Sequence, residues 1–354
     1  MKKMNNTIVE NKEIFIGLED SKRTWKLCVR SGGVAIHETS MPARYEILQE
    51  YLKGRFPKCS IKVIYEAGFK GFTLHDKLVA DSITCIVTPP HKVTQEKSRR
   101  VKTDKIDARR LAINLENGDY SCCFIPDKEL REDRQVSRTL IQIQKDIIRT
   151  KNRIRKFFDF HGFDEKLPAG SWYERDYARV QEVITQLSEP LRFSMMFHLE
   201  QLTLLNKAKK RFTEKLKELA KKERYYSVFE SVRTAPGVGW FTAIRLVLEW
   251  GEDLSRFSSA KAFASFTGLT GGEFSTGEME RKGHITRQGP RHVRSWLIEC
   301  AWTAYKRDPS LLKTFLSVYS SSKKKKMAIV AVARKLAVRL RAVILHNTEY
   351  RLAA

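Results

Sequence analysis

The sequence predicts an α/β domain at its N-terminal end, followed by a helical, coiled-coil-like spacer and a mainly α-helical C-terminal domain. Three observations in the 354 residues predict this division. Apolar runs of strand length alternate with helical patterns in the first third, a long amphipathic pattern fills the middle, and apolar helices separated by glycine turns fill the last third. We place the three domains at residues 1–122, 123–228 and 229–354.

Turn signals divide the first third into strands and helices. Three closely spaced apolar runs predict an antiparallel meander, and two predicted helices each precede a further buried strand. The order is strand, strand, strand, helix, strand, helix, strand, with a last helix after a basic linker, and this is the order of a ribonuclease-H-like domain. The predicted strands cover residues 13–20, 25–30, 34–40, 61–67 and 83–90.

Carboxylates end two of these strands and begin the last helix of the domain. Glu19 and Asp20 end the first strand, Glu66 ends the fourth, and Asp104 and Asp107 stand on one helix face in KTDKIDARRLA. Hard divalent cations take oxygen ligands, so carboxylates that converge from strand ends and a helix are typical of a site for Mg²⁺ or Mn²⁺. The sequence therefore predicts a metal site for phosphodiester chemistry.

The alternative is that these acids are solvated or paired with basic neighbours such as Arg110. Because Glu19 and Glu66 end strands that are expected to be adjacent, we favour the metal site. Three of the basic neighbours are also predicted to contact nucleic acid: Lys102, Lys105 and Arg109.

The composition points to a polyanionic partner. The formal net charge is +25 and the pI is about 9.8, and a positive field of this size recruits nucleic acid. We expect no membrane partner, because no apolar run reaches the length of a membrane span and the N-terminus lacks the pattern of a signal peptide. The six cysteines show no CxxC spacing, so we expect reduced thiols in a cytoplasmic, nucleoid-associated protein.

The middle of the chain predicts long helices. From Asp127 to Phe158 apolar residues recur at helical spacing between charged ones, and a second helical stretch over 174–226 breaks near Pro190. We interpret this spacer as an arm that joins domains or dimerises the protein, so a homodimer or tetramer on DNA is expected. Its basic face is interpreted as a solvated helix surface.

Two features of the last third suggest contacts to phosphate. Gly237 and Gly239 form a tight turn that opens a helix, where backbone N–H groups can hold a phosphate. The stretch from Gly268 to Arg294 presents Ser275 and Thr276 on a glycine-flanked turn beside a cluster of cations. A hydroxyl in that setting suits nucleophilic attack on a phosphodiester, whereas the alternative is a basic loop with an ordinary turn serine. The predicted nucleic-acid contacts here are Arg281, Lys282, His284, Arg287, Arg291 and Arg294.

These motifs together resemble those of a known family. An acid after a first strand, the EAG that contains Glu66, KTDKIDA, PGVG, GLT, the Ser-Thr-Gly turn and AVARKLA are similar to the DEDD insertion-sequence transposases of the insertion-sequence-110 family, including its 1111 branch. The resemblance covers nearly the whole chain and is weakest in the helical middle.

The resemblance implies a RuvC-like catalytic domain in which Glu19, Glu66, Asp104 and Asp107 bind metal. Glu19 stands where the family usually has Asp, so Asp20 remains an alternative ligand. The resemblance also implies a nucleophilic serine that links covalently to DNA, for which Ser275 is the candidate and Thr276 the alternative. It implies further that a structured guide RNA from the element pairs with donor and target DNA.

Serine is a poor nucleophile at neutral pH, so we expect an active site composed of the serine and the metal site, from one protomer or two. Two other functions remain open. A RuvC-like, metal-dependent endonuclease would cut without a covalent intermediate, and a non-catalytic nucleic-acid-binding protein would use the α/β domain only as a platform.

Overall fold

The computed structural model describes residues 9–90, 103–163, 176–276 and 279–352. The chain forms two compact units, Met1–Ile125 and Pro126–Ala354. The predicted spacer and the predicted C-terminal domain fall within the same unit. Lys102, predicted as a nucleic-acid contact, and Gly277 of the predicted turn lie outside the described residues.

The first unit is built on a five-stranded mixed sheet with the order β3-β2-β1-β4-β5. β2 pairs antiparallel with β1 and β3, whereas β4 is parallel to β1 and β5 is parallel to β4. This topology is compatible with the predicted ribonuclease-H-like class. The elements are β1 Glu13–Asp20, β2 Thr24–Ser31, β3 Val34–Pro42, α1 Tyr45–Arg55, β4 Ser60–Glu66, α2 Thr73–Ala80, β5 Thr84–Thr88 and α3 Asp104–Asn117.

The two faces of this sheet bury different partners. Ile14, Ile16 and Leu18 of β1 share a core with the apolar residues of α1 and α2. Successive strand residues point to opposite faces, so Gly17 lies on the other side, where α3 packs. A Cβ on Gly17 would lie 2.0 Å from the backbone oxygen of Ala108. The absence of a side chain there lets α3 rest directly on β1.

The second unit is mainly helical. The long amphipathic pattern forms α4, whose N-cap Asp127 accepts a hydrogen bond from the Leu130 N–H at 3.0 Å. The second helical stretch is divided into three helices, and Pro190 lies in the first turn of the middle one. The helices are α4 Lys128–Phe160, α5 Asp176–Thr185, α6 Glu189–Ala220, α7 Glu223–Arg233, α8 Trp240–Trp250, α9 Ala260–Phe266, α10 Arg291–Ala304, α11 Pro309–Ser322 and α12 Lys325–His346.

Helix α4 joins two cores of this unit. Its C-terminal half, with Ile147, Ile154 and Phe158, packs with residues of α5 and α6. Leu130 and Leu140 belong to the core formed by the end of α6 and by α7 to α12. The apolar face predicted for the spacer is thus partly covered by helices of the same chain. Among the described residues, none of the helices is long and apolar enough to cross a membrane.

The unit also contains a two-stranded antiparallel sheet that the sequence did not predict. β6 Gly271–Thr276 and β7 Met279–Ile285 form a hairpin. The prediction of a glycine-flanked turn for this stretch is therefore incomplete. Ser275 and Thr276 lie at the end of a strand, opposite Glu280 and Met279 in the ladder.

Candidate functional site

The carboxyl ends of β1 and β4 bring Glu19 and Glu66 to one edge of the first unit. The two strands are parallel and neighbouring, and Leu18 pairs with Tyr65, so the next residues on each strand are Glu19 and Glu66. Both lie on the sheet face that α3 covers. Glu19 is two residues after Gly17 and Glu66 is two residues after Ile64, both of which contact α3, and residues two apart on a strand point to the same face. Two strand ends thus present acids toward the same helix.

Helix α3 brings its first turn to this edge. Asp104 is the first residue of the helix and is exposed, whereas Asp107 is buried. The contact between Gly17 and Ala108, one residue after Asp107, places this turn close to the end of β1. The helix position is set by the lack of a side chain at one strand residue.

The pKa of Glu19 reports both its burial and the neighbouring acids. Burial raises the pKa of Glu19 to about 7, with further contributions from the negative charges of Glu66, Asp104, Asp107 and Asp20. Burial disfavours the charged form of a carboxyl group, and nearby negative charge has the same direction of effect. The edge therefore carries an excess of negative charge.

Asp20, the alternative to Glu19, faces different partners. Its carboxylate accepts a hydrogen bond from Trp25 Nε1 at 2.7 Å and lies 2.8 Å from Lys70 Nζ. Asp20 follows Glu19 on the strand and so points to the opposite sheet face. Its charge is already compensated by Lys70.

Arginines of α3 compensate part of the acidic charge. Arg110 Nη2 donates to Asp107 Oδ1 at 2.7 Å and lies 3.8 Å from Glu66 Oε1. Arg109, a predicted nucleic-acid contact, instead makes a two-point ion pair with Glu38 at 2.7 and 2.9 Å. Lys105 is exposed on the same helix. The predicted ion pairs and the predicted acidic cluster thus coexist.

The residues at this edge suit a hard divalent cation in charge and in donor type. Four carboxylates offer oxygen donors, and burial together with the negative charge of the neighbouring acids raises the pKa of Glu19. Within the described part of the chain, no group of three or more His, Cys, Asp or Glu side chains stands close enough to hold a metal ion.

The hairpin of the second unit carries the predicted nucleophile. Ser275 lies near the end of β6, and the predicted phosphate contacts Lys282 and Arg281 lie on β7 opposite Glu273 and Phe274. The paired residues run from Gly271 with Ile285 to Thr276 with Met279. The sequence stretch with the hydroxyl and the stretch with the cations are therefore the two strands of one small sheet.

Close backbone contacts hold the segments that flank this hairpin. A Cβ on Gly268 would lie 2.1 Å from the Gln288 oxygen, and one on Gly289 would lie 1.9 Å from the Phe266 oxygen. Both glycines have positive φ, 68° and 92°, which glycine adopts at low cost. The Thr286 N–H also donates to the Thr270 oxygen at 2.8 Å. The end of α9 and the loop before α10 are fixed together.

The predicted cations near the hairpin divide into exposed and buried ones. His284, Arg287 and Arg291 are exposed. Arg294 is buried, and its Nη1 donates to the Thr267 oxygen at 3.4 Å. Burial lowers the pKa of Arg294, and the positive charges of Arg287 and Arg291 lower it further. The three arginines therefore lie near one another, with Arg294 beneath the turn at Gly268.

The glycine turn before α8 is partly used for packing. A Cβ on Gly237 would lie 2.4 Å from the Cys300 oxygen of α10, so this residue faces the helix. Nothing lies within 4 Å of the corresponding position at Gly239, the N-cap of α8. Of the two predicted phosphate contacts, Gly239 has the open surface.

Comparison with known proteins matches both units to transposases. A family model for DEDD transposases of the IS110 type matches residues 16–162, which include all four acids, and a model described as "Transposase IS116/IS110/IS902 family" matches residues 230–317, which include the hairpin. The chain belongs to the IS110 family of transposases. The resemblance found in the sequence is confirmed.

Curated relatives of this IS110-family chain carry transposase names. The chain is 28% identical over 255 residues to a putative transposase, y4qE, of Sinorhizobium fredii. The match covers 70% of this chain and 60% of y4qE, so the chain spans less than two thirds of the length of that relative. The chain is 27% identical to y4rJ of the same organism, with 92% and 90% covered. It is 23% identical to the transposase for insertion sequence element IS1111A of Coxiella burnetii, with 77% and 74% covered.

An ionic cluster around the buried Glu249 of this IS110-family chain was not predicted from the sequence. Glu249 of α8 accepts two hydrogen bonds from Arg138 of α4, both at 2.9 Å, and lies 2.9 Å from His292 Nε2 of α10. Burial alone would raise the pKa of Glu249. The hydrogen bonds and positive charges of His292 and Arg138 have the larger, opposite effect and lower the pKa to about 2. The available signal was a glutamate inside the apolar run WFTAIRLVLEW.

Proposed function

We propose that this chain is the DNA transposase of an insertion sequence and that it cuts and rejoins strands of donor and target DNA. Family membership supports the reaction class. The net charge of +25 supports a nucleic-acid partner. The observation that carries the proposal is the convergence of Glu19, Glu66 and the first turn of α3 at one edge. Burial and the neighbouring negative charges raise the pKa of Glu19 there, and catalytic carboxylates are found where environment and neighbours perturb a pKa.

The four acids, in a RuvC-like domain, would hold Mg²⁺ or Mn²⁺. Such a cation supplies Lewis-acid stabilisation of the charge that develops on phosphate oxygens. Glu19 is favoured over Asp20 because Glu19 shares a sheet face with Glu66, whereas Asp20 is paired with Lys70 and Trp25. Arg110, within reach of Asp107 and Glu66, would orient both carboxylates.

Ser275 would be the nucleophile, with Thr276 as the alternative. Its Oγ attacks the phosphorus of a DNA phosphodiester, the bond between phosphorus and one sugar oxygen breaks, and the hydroxyl proton ends on the leaving oxygen. The product is a phosphoserine link that a DNA hydroxyl later resolves, so no external energy source is required. The exposed Arg287 and Arg291 would hold the phosphate.

Two further features belong to the proposal. By the family resemblance, a structured guide RNA copied from the element would pair with donor and target DNA. Through its helical spacer, the protein would act on DNA as a homodimer or tetramer.

Trapping a protein–DNA adduct tests the proposal. The wild-type protein with MgCl₂ and labelled element-end DNA should give a complex that survives denaturation, and peptide sequencing should identify the linked residue. Ser275→Ala should abolish the adduct while Thr276→Ala retains it, and Asp104→Asn should abolish both adduct and cleavage. Cleavage with free ends and no adduct would instead identify a hydrolytic nuclease.

A second measurement separates a catalytic protein from a mere binder. Magnesium titrated into the protein in a calorimeter should bind with an affinity that falls in Glu66→Gln and Asp107→Asn. If the wild-type protein binds DNA but neither binds magnesium nor cuts, the catalytic proposal fails and the α/β domain is a binding platform only.

A further inference from the structure

A β-turn follows Glu66 at the acidic edge of the first unit. The chain leaves β4 and forms the turn Gly68–Gly71, in which the Gly71 N–H donates to the Gly68 oxygen at 3.3 Å. Phe69 and Lys70 are its two central residues. The hydroxyl of Tyr65 donates to the Gly71 oxygen, also at 3.3 Å, which ties the turn back to the strand that precedes it.

Lys70 anchors this turn to the end of β1. Its Nζ lies 2.8 Å from the Asp20 carboxylate and donates to the Ser21 oxygen at 2.9 Å. The same ammonium lies 4.9 Å from the centre of the Trp25 ring, within the range of a cation–π contact. One central residue of the turn is thus fixed against the strand that carries Glu19.

The other central residue, Phe69, projects into solvent. Its side chain is 71% exposed, and its ring centre lies 5.9 Å from Lys70 Nζ. Single exposed apolar side chains are common on protein surfaces. Phe69 differs from such residues in its setting, because an anchored turn presents it three residues after Glu66 and Lys70 places positive charge beside it.

We propose that Phe69 is a stacking site for an unpaired base of the DNA strand whose phosphate reaches the acidic edge. The inference rests on the proposed function, since that function supplies the strand. Bases stack on exposed aromatic rings whatever their sequence, because every base has a π face. Lys70 offsets part of the carboxylate charge that would otherwise repel the strand. Phe69 is therefore a substrate-positioning residue.

Equilibrium binding to a fluorescent oligonucleotide tests this role. The probe is a short single-stranded DNA that carries 2-aminopurine, whose emission falls when it stacks on an aromatic ring, and EDTA is present so that no strand is cut. For Phe69→Ala in the full-length protein we expect roughly ten-fold weaker binding and loss of the quenching. Phe69→Trp should restore both.

Val79→Ala is the matched control, because Val79 is also apolar and exposed in the same unit, at 50%, but belongs to α2. It should bind and quench like the wild-type protein. The proposal is overturned if Phe69→Ala equals wild type, or if Val79→Ala loses as much. Dependence on Phe69 with an RNA oligonucleotide but not with DNA would overturn the assignment to DNA. Because binding is measured without cleavage, this result is independent of whether the protein forms an adduct.

Discussion

The ionisation of Glu19 is the residue property that most directly reports the acidic edge. Its pKa is raised from 4.5 to about 7, so the folded state holds its proton more tightly than the unfolded state. The contribution of this group to the free energy of unfolding is therefore fully present below about pH 4.5. It is lost as the pH rises through about 7. Above pH 7 the charged carboxylate is a net cost to the folded protein.

We therefore expect Glu19→Gln to stabilise the protein at pH 8 in EDTA. The gain should be about 1 to 2 kcal/mol after allowance for the solvent that screens a half-buried group, and near pH 4.5 it should vanish. Urea unfolding at the two pH values measures the difference. Asp20→Asn is the control and should be destabilising at pH 8, because its carboxylate is paired with Lys70. Equal effects of the two substitutions would show that Glu19 is not the coupled acid.

Gly17 is the second residue on which the edge depends. A Cβ there would lie 2.0 Å from the Ala108 oxygen and 2.4 Å from the Ala112 nitrogen, so α3 would have to move away from β1. We expect Gly17→Ala to cost about 2 to 3 kcal/mol in unfolding free energy and to lower the pKa of Glu19 as the acids separate. Thermal unfolding and an NMR titration of the carboxyl groups measure the two effects.

Gly54 of α1 provides the matched substitution. Nothing lies within 4 Å of its missing Cβ, so Gly54→Ala should stabilise the protein by about 0.5 to 1 kcal/mol through helix propensity. If both substitutions had the same sign, close packing of α3 on β1 would not be the reason for Gly17.

At the scale of elements, Glu249 ties α4 to α8 and α10. Its side chain is 2% exposed and is paired with Arg138 and His292. Glu249→Gln removes the charge that compensates Arg138, His292 and the nearby Arg134. Because Arg138 is 46% exposed and is screened by water, the cost should be about 1 to 2 kcal/mol. Guanidinium unfolding at pH 7 measures it. Glu230→Gln, which removes a more exposed i,i+3 pair with Arg233, should cost less than about 0.5 kcal/mol.

The hairpin makes a second prediction at this scale. Gly289→Ala places a Cβ 1.9 Å from the Phe266 oxygen at a backbone φ of 92°, so the loop before α10 would shift relative to α9. We expect adduct formation through Ser275 to fall by at least ten-fold, or about 1.4 kcal/mol in the barrier, while the circular dichroism spectrum is retained. Gly271→Ala, whose Cβ would lie 3.8 Å from the Gly283 oxygen, should leave the adduct yield unchanged.

At the scale of the whole molecule, local patterns predicted the elements, and long-range contacts decided the rest. The convergence of Glu19 and Glu66 could be predicted from the sequence because both end apolar strands whose order implies that they are neighbours. The sequence alone offered no reason to prefer Glu19 to Asp20, because the proposed preference depends on the pairing of Asp20 with Lys70, which lies 50 residues later in the chain. The hairpin was missed because Glu273, Arg281 and Lys282 interrupt the apolar alternation that normally indicates strands.

The ionic cluster at Glu249 could not be predicted from the sequence either, because it depends on long-range contacts. Its partner Arg138 is 111 residues away in the chain, and the local sequence around Arg138 indicates only a solvated basic face. Arg138 is 46% exposed, but its guanidinium pairs with the buried carboxylate of Glu249. A charge pattern on one helix cannot show which charges another helix will cover.

The net charge of +25 leads to a prediction for the molecule as a whole. Each phosphate that a cation neutralises releases counterions, so the logarithm of the DNA-binding constant should fall steeply and linearly with the logarithm of salt concentration. Arg287→Gln and Arg291→Gln, which remove exposed cations near the hairpin, should each reduce that slope by about one. Fluorescence anisotropy with duplex DNA from 50 to 300 mM KCl, roughly the range over which such binding weakens, measures the slope. Lys313→Gln removes an exposed cation from α11. An unchanged slope for this variant would show that the slope reports particular contacts, those of Arg287 and Arg291 among them, and not total charge.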